Sequence, residues 1–300
     1  MAVEEIVDTH VHLYDPVRLP YGWMRGDPIL DRRHGLSEFE AATGGLAVAQ
    51  LVFVEVAVDP GHHLAEAEAV QRLAERDPRL AAIVARAPVE RGAAVEEDLD
   101  RLERLPALRG IRRLVQDEPD PDFCVQPDFV EGVRRVGARG LVFELCLKSA
   151  RGQLARAIEL VRRCPEVRFV LDHLGKPPVA EGAFEPWKSQ LRELSRAPNV
   201  VCKISGLITE ADPRRWTRSQ LRPWIEHAIA CFGFERVMFG SDWPVSARTH
   251  RYATWVAILD ELLASCSADE RARFWGGTAR EVYRLARTGE PTARHPDTRA

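Results

Sequence analysis

The 300-residue sequence predicts an α/β fold, a (β/α)8 TIM barrel with an extra C-terminal helical segment, and three observations carry that expectation. Eight apolar, β-branched runs recur along the chain, and amphipathic stretches of helical spacing separate them. No glycine-rich phosphate loop follows the first run, which a doubly wound open sheet would want.

The runs fall near 6–11, 50–58, 80–87, 110–116, 141–148, 167–174, 199–207 and 236–242. Their near-continuous hydrophobicity, as in Leu51-Val52-Phe53-Val54 and Phe169-Val170-Leu171, suits parallel strands covered on both faces. Helical spacing of apolar residues marks 63–76, 93–105, 129–137, 152–163, 187–196 and 221–232, and 252–263 supplies the helix after the eighth run. Residues 14–35, rich in Pro, Gly, Tyr and Trp, form a long first loop of the kind that closes over a site. Residues 268–287 read as the additional helical segment. No linker interrupts the alternation, so one domain is expected over 1–288, followed by a flexible tail at 289–300.

With 45% hydrophobic and 29% charged residues, the chain can bury a full core. The net charge of −3 comes from interleaved arginines and acids, with no basic stripe for nucleic acid and no polybasic membrane patch. No apolar run reaches the roughly eighteen residues of a membrane span. The chain enters a strand almost at once, so no signal peptide is expected. Six cysteines (Cys124, Cys146, Cys164, Cys202, Cys231 and Cys266) form no CxxC pair, which points to free thiols in a reducing cytoplasm.

Asp8-Thr9-His10-Val11-His12 ends the first run. Alternation along a strand puts His10 and His12 on one face, where two imidazoles can grip one divalent ion or one substrate. Alone, an HxH among nine histidines is a weak signal. The barrel strengthens it, because active sites of such barrels lie at the C-terminal mouth. Asp242, in Gly240-Ser241-Asp242-Trp243-Pro244, ends the eighth run, which closes the barrel beside the first. His173, in Leu171-Asp172-His173-Leu174-Gly175, ends the sixth. Taken singly, Asp242 reads as a turn residue and His173 as a hydrogen-bonded core histidine. Together, His10, His12, His173 and Asp242 make a shell of three imidazoles and a carboxylate for Zn²⁺ or a related divalent ion. Asp242 is then the base for a metal-activated water, with His173 beside it in the catalytic group.

Other polar residues in apolar runs are candidate substrate contacts: Glu55, Arg112, Gln116, Glu144, and Lys203 with Ser205. The plain alternative is that some pair with one another, Glu144 with Arg112 for instance. Trp243, Tyr21 and Trp23 are candidates for an apolar wall or lid. Lysine is otherwise scarce, yet Lys148, Lys176 and Lys203 all lie at strand ends, leaving only Lys188 elsewhere. His34, His62, His63, His227 and His295 read as surface or structural residues, whereas His250, in the loop after the eighth run, is within reach of the mouth.

The same motifs carry a family resemblance. Asp8-Thr9-His10-Val11-His12 with Asp15-Pro16, Asp172-His173-Leu174-Gly175-Lys176-Pro177, Cys202-Lys203-Ile204-Ser205-Gly206-Leu207 and Phe239-Gly240-Ser241-Asp242-Trp243-Pro244 occur in that order. The chain resembles the amidohydrolase superfamily, specifically its amidohydrolase 2 branch and the sugar-lactone hydrolases within it. Gly110-Ile111-Arg112-Arg113-Leu114-Val115-Gln116-Asp117-Glu118-Pro119 is similar to a segment of L-fuconolactonase-like members. The resemblance implies hydrolysis of a sugar aldonolactone to the aldonic acid, with a small-molecule sugar lactone as partner. It implies one divalent metal, zinc foremost, at a site that some members of the branch run without. Many superfamily members carry a carboxylated lysine after the fourth strand, bridging two metals. Arg112, Arg113 and Gln116 stand there instead, which implies a mononuclear or metal-free centre. Without metal, His10, His12 and His173 would polarise the lactone carbonyl and Asp242 would remain the base. The rival readings are a decarboxylase of the same superfamily and a non-catalytic sugar-binding barrel.

Overall fold

In the computed structural model, which describes residues 5–286, eight parallel strands pair in chain order. They are β1 (Ile6–Val11), β2 (Val48–Val54), β3 (Leu80–Arg86), β4 (Leu108–Arg112), β5 (Val142–Leu145), β6 (Phe169–Leu171), β7 (Val200–Ile204) and β8 (Val237–Phe239). The seam between β8 and β1 closes at the C-terminal rim. There the Asp242 amide donates to the His10 carbonyl at 2.9 Å and the His12 amide donates to the Trp243 carbonyl at 2.8 Å. The backbone that shuts the barrel therefore also sets Asp242 beside the HxH pair.

The outer ring is α1 (Leu36–Thr43), α2 (His63–Ala74), α3 (Glu96–Leu102), α4 (Pro127–Ala138), α5 (Gln153–Arg163), α6 (Trp187–Leu194), α7 (Arg218–Phe232) and α8 (Tyr252–Leu262). Helix α1 falls outside the expected stretches because it buries only Phe39 and Thr43, too few for a visible apolar stripe. The stretch expected at 93–105 splits: Gly92 leaves helical geometry at φ 57°, so Val89–Val95 wind as 3-10 turns before α3 begins. Most strands stop short of their apolar runs. Beyond β6 and β8 the chain folds into tight turns at the rim, with the Lys176 amide on the His173 carbonyl (2.8 Å) and the Ser246 amide on the Asp242 carbonyl (2.9 Å).

Inside the barrel, Val7, Val52, Val54, Ala82, Val84, Val142, Val170, Val201 and Met238 fill the lower layers. The segment expected at 268–287 becomes α9 (Ala268–Ala272), a π-helical turn (Arg273–Gly277) and α10 (Thr278–Tyr283). A capping box between Ser267 and Glu270 starts α9. Ala279, Val282 and Tyr283 then close the floor of the barrel. Arg287 and the tail at 289–300 lie outside the described residues. The first loop is pinned along the flank: Tyr14 and His34 exchange backbone hydrogen bonds at 2.9 Å, and the Trp23 indole donates to the Val56 carbonyl at 2.9 Å. Tyr21, buried against Tyr14, is a core residue, and Trp23 stays half exposed. All six cysteines are free thiols. Among the described residues no helix is long and apolar enough to cross a membrane.

Candidate active site

The first strand needs an irregularity to present its histidines. Val7 points into the barrel. Asp8 points outward, accepting from the Ser241 amide at 2.9 Å and the Tyr252 hydroxyl at 3.1 Å. Strict alternation would send His10 outward as well. The pairing of β1 with β2 shifts register between Asp8 and Val11, and this shift turns His10 inward beside His12. Their rings meet edge-on with centroids 4.9 Å apart. Burial pushes the Asp8 carboxyl up to about 6, against the bonds from Ser241, His10 and Tyr252.

Around Asp242 three imidazoles converge. The Nε2 atoms of His12, His10 and His173 lie 3.4, 3.7 and 3.8 Å from Asp242 Oδ1. Each ring is oriented from its other nitrogen. His12 Nδ1 donates to the Val54 carbonyl at 2.8 Å, His10 Nδ1 stands 3.4 Å from Asp172 Oδ1, and His173 Nδ1 bonds the Ser205 hydroxyl at 2.9 Å. A carbonyl only accepts, so His12 Nδ1 carries a proton and Nε2 is the nitrogen that faces Asp242. Burial depresses the basicity of His10 strongly and that of His173 to about 4, leaving both neutral at pH 7. Burial would raise the Asp242 carboxyl, but His173, His12 and His10 outweigh it and hold the group below the usual carboxylate range.

Three ring nitrogens and an ionised carboxylate facing one another suit a cation. The ligand atoms of His10, His173 and Asp242 lie within 4.8 Å of one another. Ligands bound to tetrahedral zinc at about 2.1 Å would stand about 3.4 Å apart, so the donor set fits one divalent ion. Hydrogen bonds to the outer nitrogens are the usual device for aiming such ligands. Gly206, at φ 60°, completes the packing: a Cβ there would stand 2.6 Å from His173 Nδ1 and 3.1 Å from Asp242 Oδ2. Gly206→Ala is expected to displace the His173 ring and cut turnover on the order of 10²-fold. Steady-state kinetics beside a circular-dichroism check of the fold tests this, and unchanged turnover would show that the ring has slack.

Beneath this cluster lies a layer of buried charge. Arg112 donates from Nε to Glu55 (2.7 Å) and from one terminal nitrogen to Asp172 (3.2 Å), and that nitrogen is 3.3 Å from His10 Nε2. Lys203 pairs with Glu144 at 2.7 Å and Asp172 at 3.2 Å, while the Tyr283 hydroxyl donates to Glu144 at 2.5 Å. Four expected substrate contacts, Glu55, Arg112, Glu144 and Lys203, are thus buried and matched to one another. Glu144 chooses Lys203 although the strand register sets Arg112 opposite it. Trp243 faces away from the cluster, edge-on to His34 and Phe39, and so packs in the core instead of walling the mouth. Gln116 is part-buried and accepts from Lys176 at 2.5 Å.

Among the buried acids that the sequence reading did not single out are Asp172 and Glu66. Asp172 contacts Arg112, Lys203 and His10, and its signal was a carboxylate next to His173 at the end of an apolar run. Glu66, on α2, gave no such signal because it sits in an ordinary amphipathic stretch. Its carboxylate accepts from the Val56 amide at 3.3 Å, and burial with the neighbouring Glu55 raises it to about 8. Between its ordinary value of 4.5 and that value the folded state binds a proton the unfolded chain has released, so Glu66 costs stability as pH rises. Glu66→Gln is therefore expected to gain stability relative to wild type at pH 8 over pH 5 in urea unfolding; equal differences at both values would contradict it. His63 pairs with Asp98 and His227 with the Lys188 carbonyl, both away from the cluster. His250 bonds Thr249 at 2.9 Å, and burial lowers it to about 4.

A model of the amidohydrolase family matches residues 7–285. The L-fucono-1,5-lactonase of Burkholderia multivorans is 33% identical, over 93% of this chain and 96% of that protein. The L-fucono-1,5-lactonase of Burkholderia ambifaria is 36% identical over 63% of this chain and 66% of that protein. Among solved structures, an amidohydrolase from Burkholderia multivorans with bound Zn superposes with a TM-score of 0.83 at 32% identity, covering 94% of this chain and 99% of that one.

Proposed function

Because the chain belongs to the amidohydrolase family, we propose that it hydrolyses a sugar aldonolactone, L-fuconolactone or a close relative, to the aldonic acid. The observation that carries this reading is the convergence of three oriented imidazoles on Asp242 at 3.4–3.8 Å. The two lactonase relatives support the substrate class.

His10, His12, His173 and Asp242 would hold one divalent ion, zinc being consistent with the Zn-bound structural relative, and it would supply Lewis-acid polarisation of the carbonyl and a more acidic water. Arg112 fixes a positive charge 3.3 Å from His10, which disfavours a second ion. Asp242, kept ionised, accepts the proton of the water that attacks the ring carbonyl and returns it to the departing ring oxygen. Asp172 and Lys203 flank His10 Nδ1 at 3.4 and 3.3 Å, and Ser205 orients His173, so both rings are held as charge develops. Arg112 and Lys203 neutralise the carboxylates that do this holding.

A pH-indicator screen of a sugar-lactone panel, with and without chelator and beside metal analysis of the purified protein, tests the reading. Acid release from L-fuconolactone is the expected result. Silence across the panel would sink it.

A further inference from the structure

The loop after β6 contains a left-handed turn. His173, Leu174, Gly175 and Lys176 all take positive φ, at 52°, 55°, 73° and 46°. Only one of the four is glycine, so the turn is strained and persists because its surroundings enforce it. The bond from the Lys176 amide to the His173 carbonyl closes it. In a three-residue turn, side chains three apart stack on the same side. The Lys176 ammonium is close enough for its charge to act on the His173 imidazole, and whereas His173 is buried, Lys176 is only part-buried.

This ammonium is also unlike the other lysines and the arginine near the mouth. Arg112 has Glu55 and Asp172, Lys203 has Glu144 and Asp172, and Lys148 has Asp117. Among the described residues, Lys176 has no carboxylate within 4.0 Å, and its one hydrogen bond goes to the neutral amide oxygen of Gln116 at 2.5 Å. Three N–H donors with one acceptor leave two to spare. Ser149 donates to the Lys176 carbonyl at 2.9 Å and Cys146 to the same Gln116 oxygen at 3.5 Å, so the arm is anchored at both ends. Burial works against the charge, while Cys146, Glu210 and Asp242 oppose it, and the net shift is upward.

We propose that Lys176 is a further catalytic residue, whose ammonium binds the ring oxygen of the lactone and stabilises the negative charge that gathers there as the ring opens. The inference rests on the lactonase reading above. Water bonds to the carbonyl carbon as its proton passes to Asp242. The bond from that carbon to the ring oxygen then breaks, the electron pair departs on the oxygen, and Asp242 returns the proton. Lys176 keeps its own protons throughout and donates one N–H to the leaving oxygen. A fixed donor placed where charge develops acts on the chemical step more than on substrate capture.

The experiment compares wild type with Lys176→Met, Lys176→Gln and Lys176→Arg on L-fuconolactone, with metal content and melting temperature measured for each. Both neutral variants are expected to lose kcat on the order of 10²-fold while KM changes by less than about threefold, with metal content retained. Lys176→Arg, which keeps the charge, should recover at least about tenfold of that loss. Glutamine retains a donor for the Gln116 oxygen, so it separates charge from packing if methionine unfolds the turn. Neutral variants that keep kcat within about threefold of wild type, or lose only in KM, overturn the proposal. A wild-type protein inactive on every lactone overturns the lactonase reading itself, a result distinct from an active enzyme indifferent to Lys176.

Discussion

Asp242→Asn is expected to lower kcat for lactone hydrolysis on the order of 10³-fold while leaving the melting temperature close to wild type. The side chain keeps its shape, and the amide that closes the barrel seam, from Asp242 to the His10 carbonyl at 2.9 Å, belongs to the backbone and survives the change. What disappears is the ionised oxygen that three Nε2 atoms face at 3.4–3.8 Å. An amide can neither accept the water's proton nor carry it to the leaving oxygen. Indicator-based initial rates give the loss, and metal analysis separates failed proton transfer from failed ion retention. Turnover near wild type would remove Asp242 from the mechanism.

Lys203→Met is expected to destabilise the protein by about 3–5 kcal/mol, because it leaves buried charges without their partner. Lys203 is fully buried between Glu144 and Asp172, so no water replaces it. Burial already raises Glu144 to about 7, with Lys203 opposing. Without the lysine, Glu144 is expected to stay protonated to higher pH, so the penalty grows from pH 6 to pH 8 because the folded state keeps a proton that the unfolded chain has released. Urea unfolding at the two values measures both effects. Adding Glu144→Gln to Lys203→Met should cost less than the sum of the single changes, since the two side chains share one interaction. An unchanged midpoint in Lys203→Met would mean that water reaches this layer.

The barrel was legible because eight apolar runs and the stretches between them carry the two periodicities of strand and helix. The four candidate site residues were legible because they are polar and end apolar runs at the rim. Residue types could not reveal the register shift between Asp8 and Val11, a property of the strand pair that decides which way His10 faces. Nor could they reveal that Glu144 reaches Lys203 on β7 in preference to Arg112 on the adjacent β4. Partners across a barrel depend on strand tilt and stagger, which the order of residues along one strand does not encode. Trp243 packs edge-on against His34 and Phe39, a choice of neighbours that its place beside Asp242 in the sequence does not reveal. Helix α1 went unseen because a helix that buries one aromatic ring leaves no stripe.

Tyr283 couples the order of synthesis to the completion of the interior. It sits on α10, the last helix described, yet its hydroxyl meets Glu144 on β5, 139 positions earlier in the chain. All eight strands leave the ribosome before it does. A nascent barrel can therefore close its hydrogen-bonded wall while Glu144 still lacks one of its two partners and the floor stands open to solvent. Until α10, the last helix described, brings Tyr283 to Glu144, that buried carboxylate has Lys203 as its one hydrogen-bonding side chain.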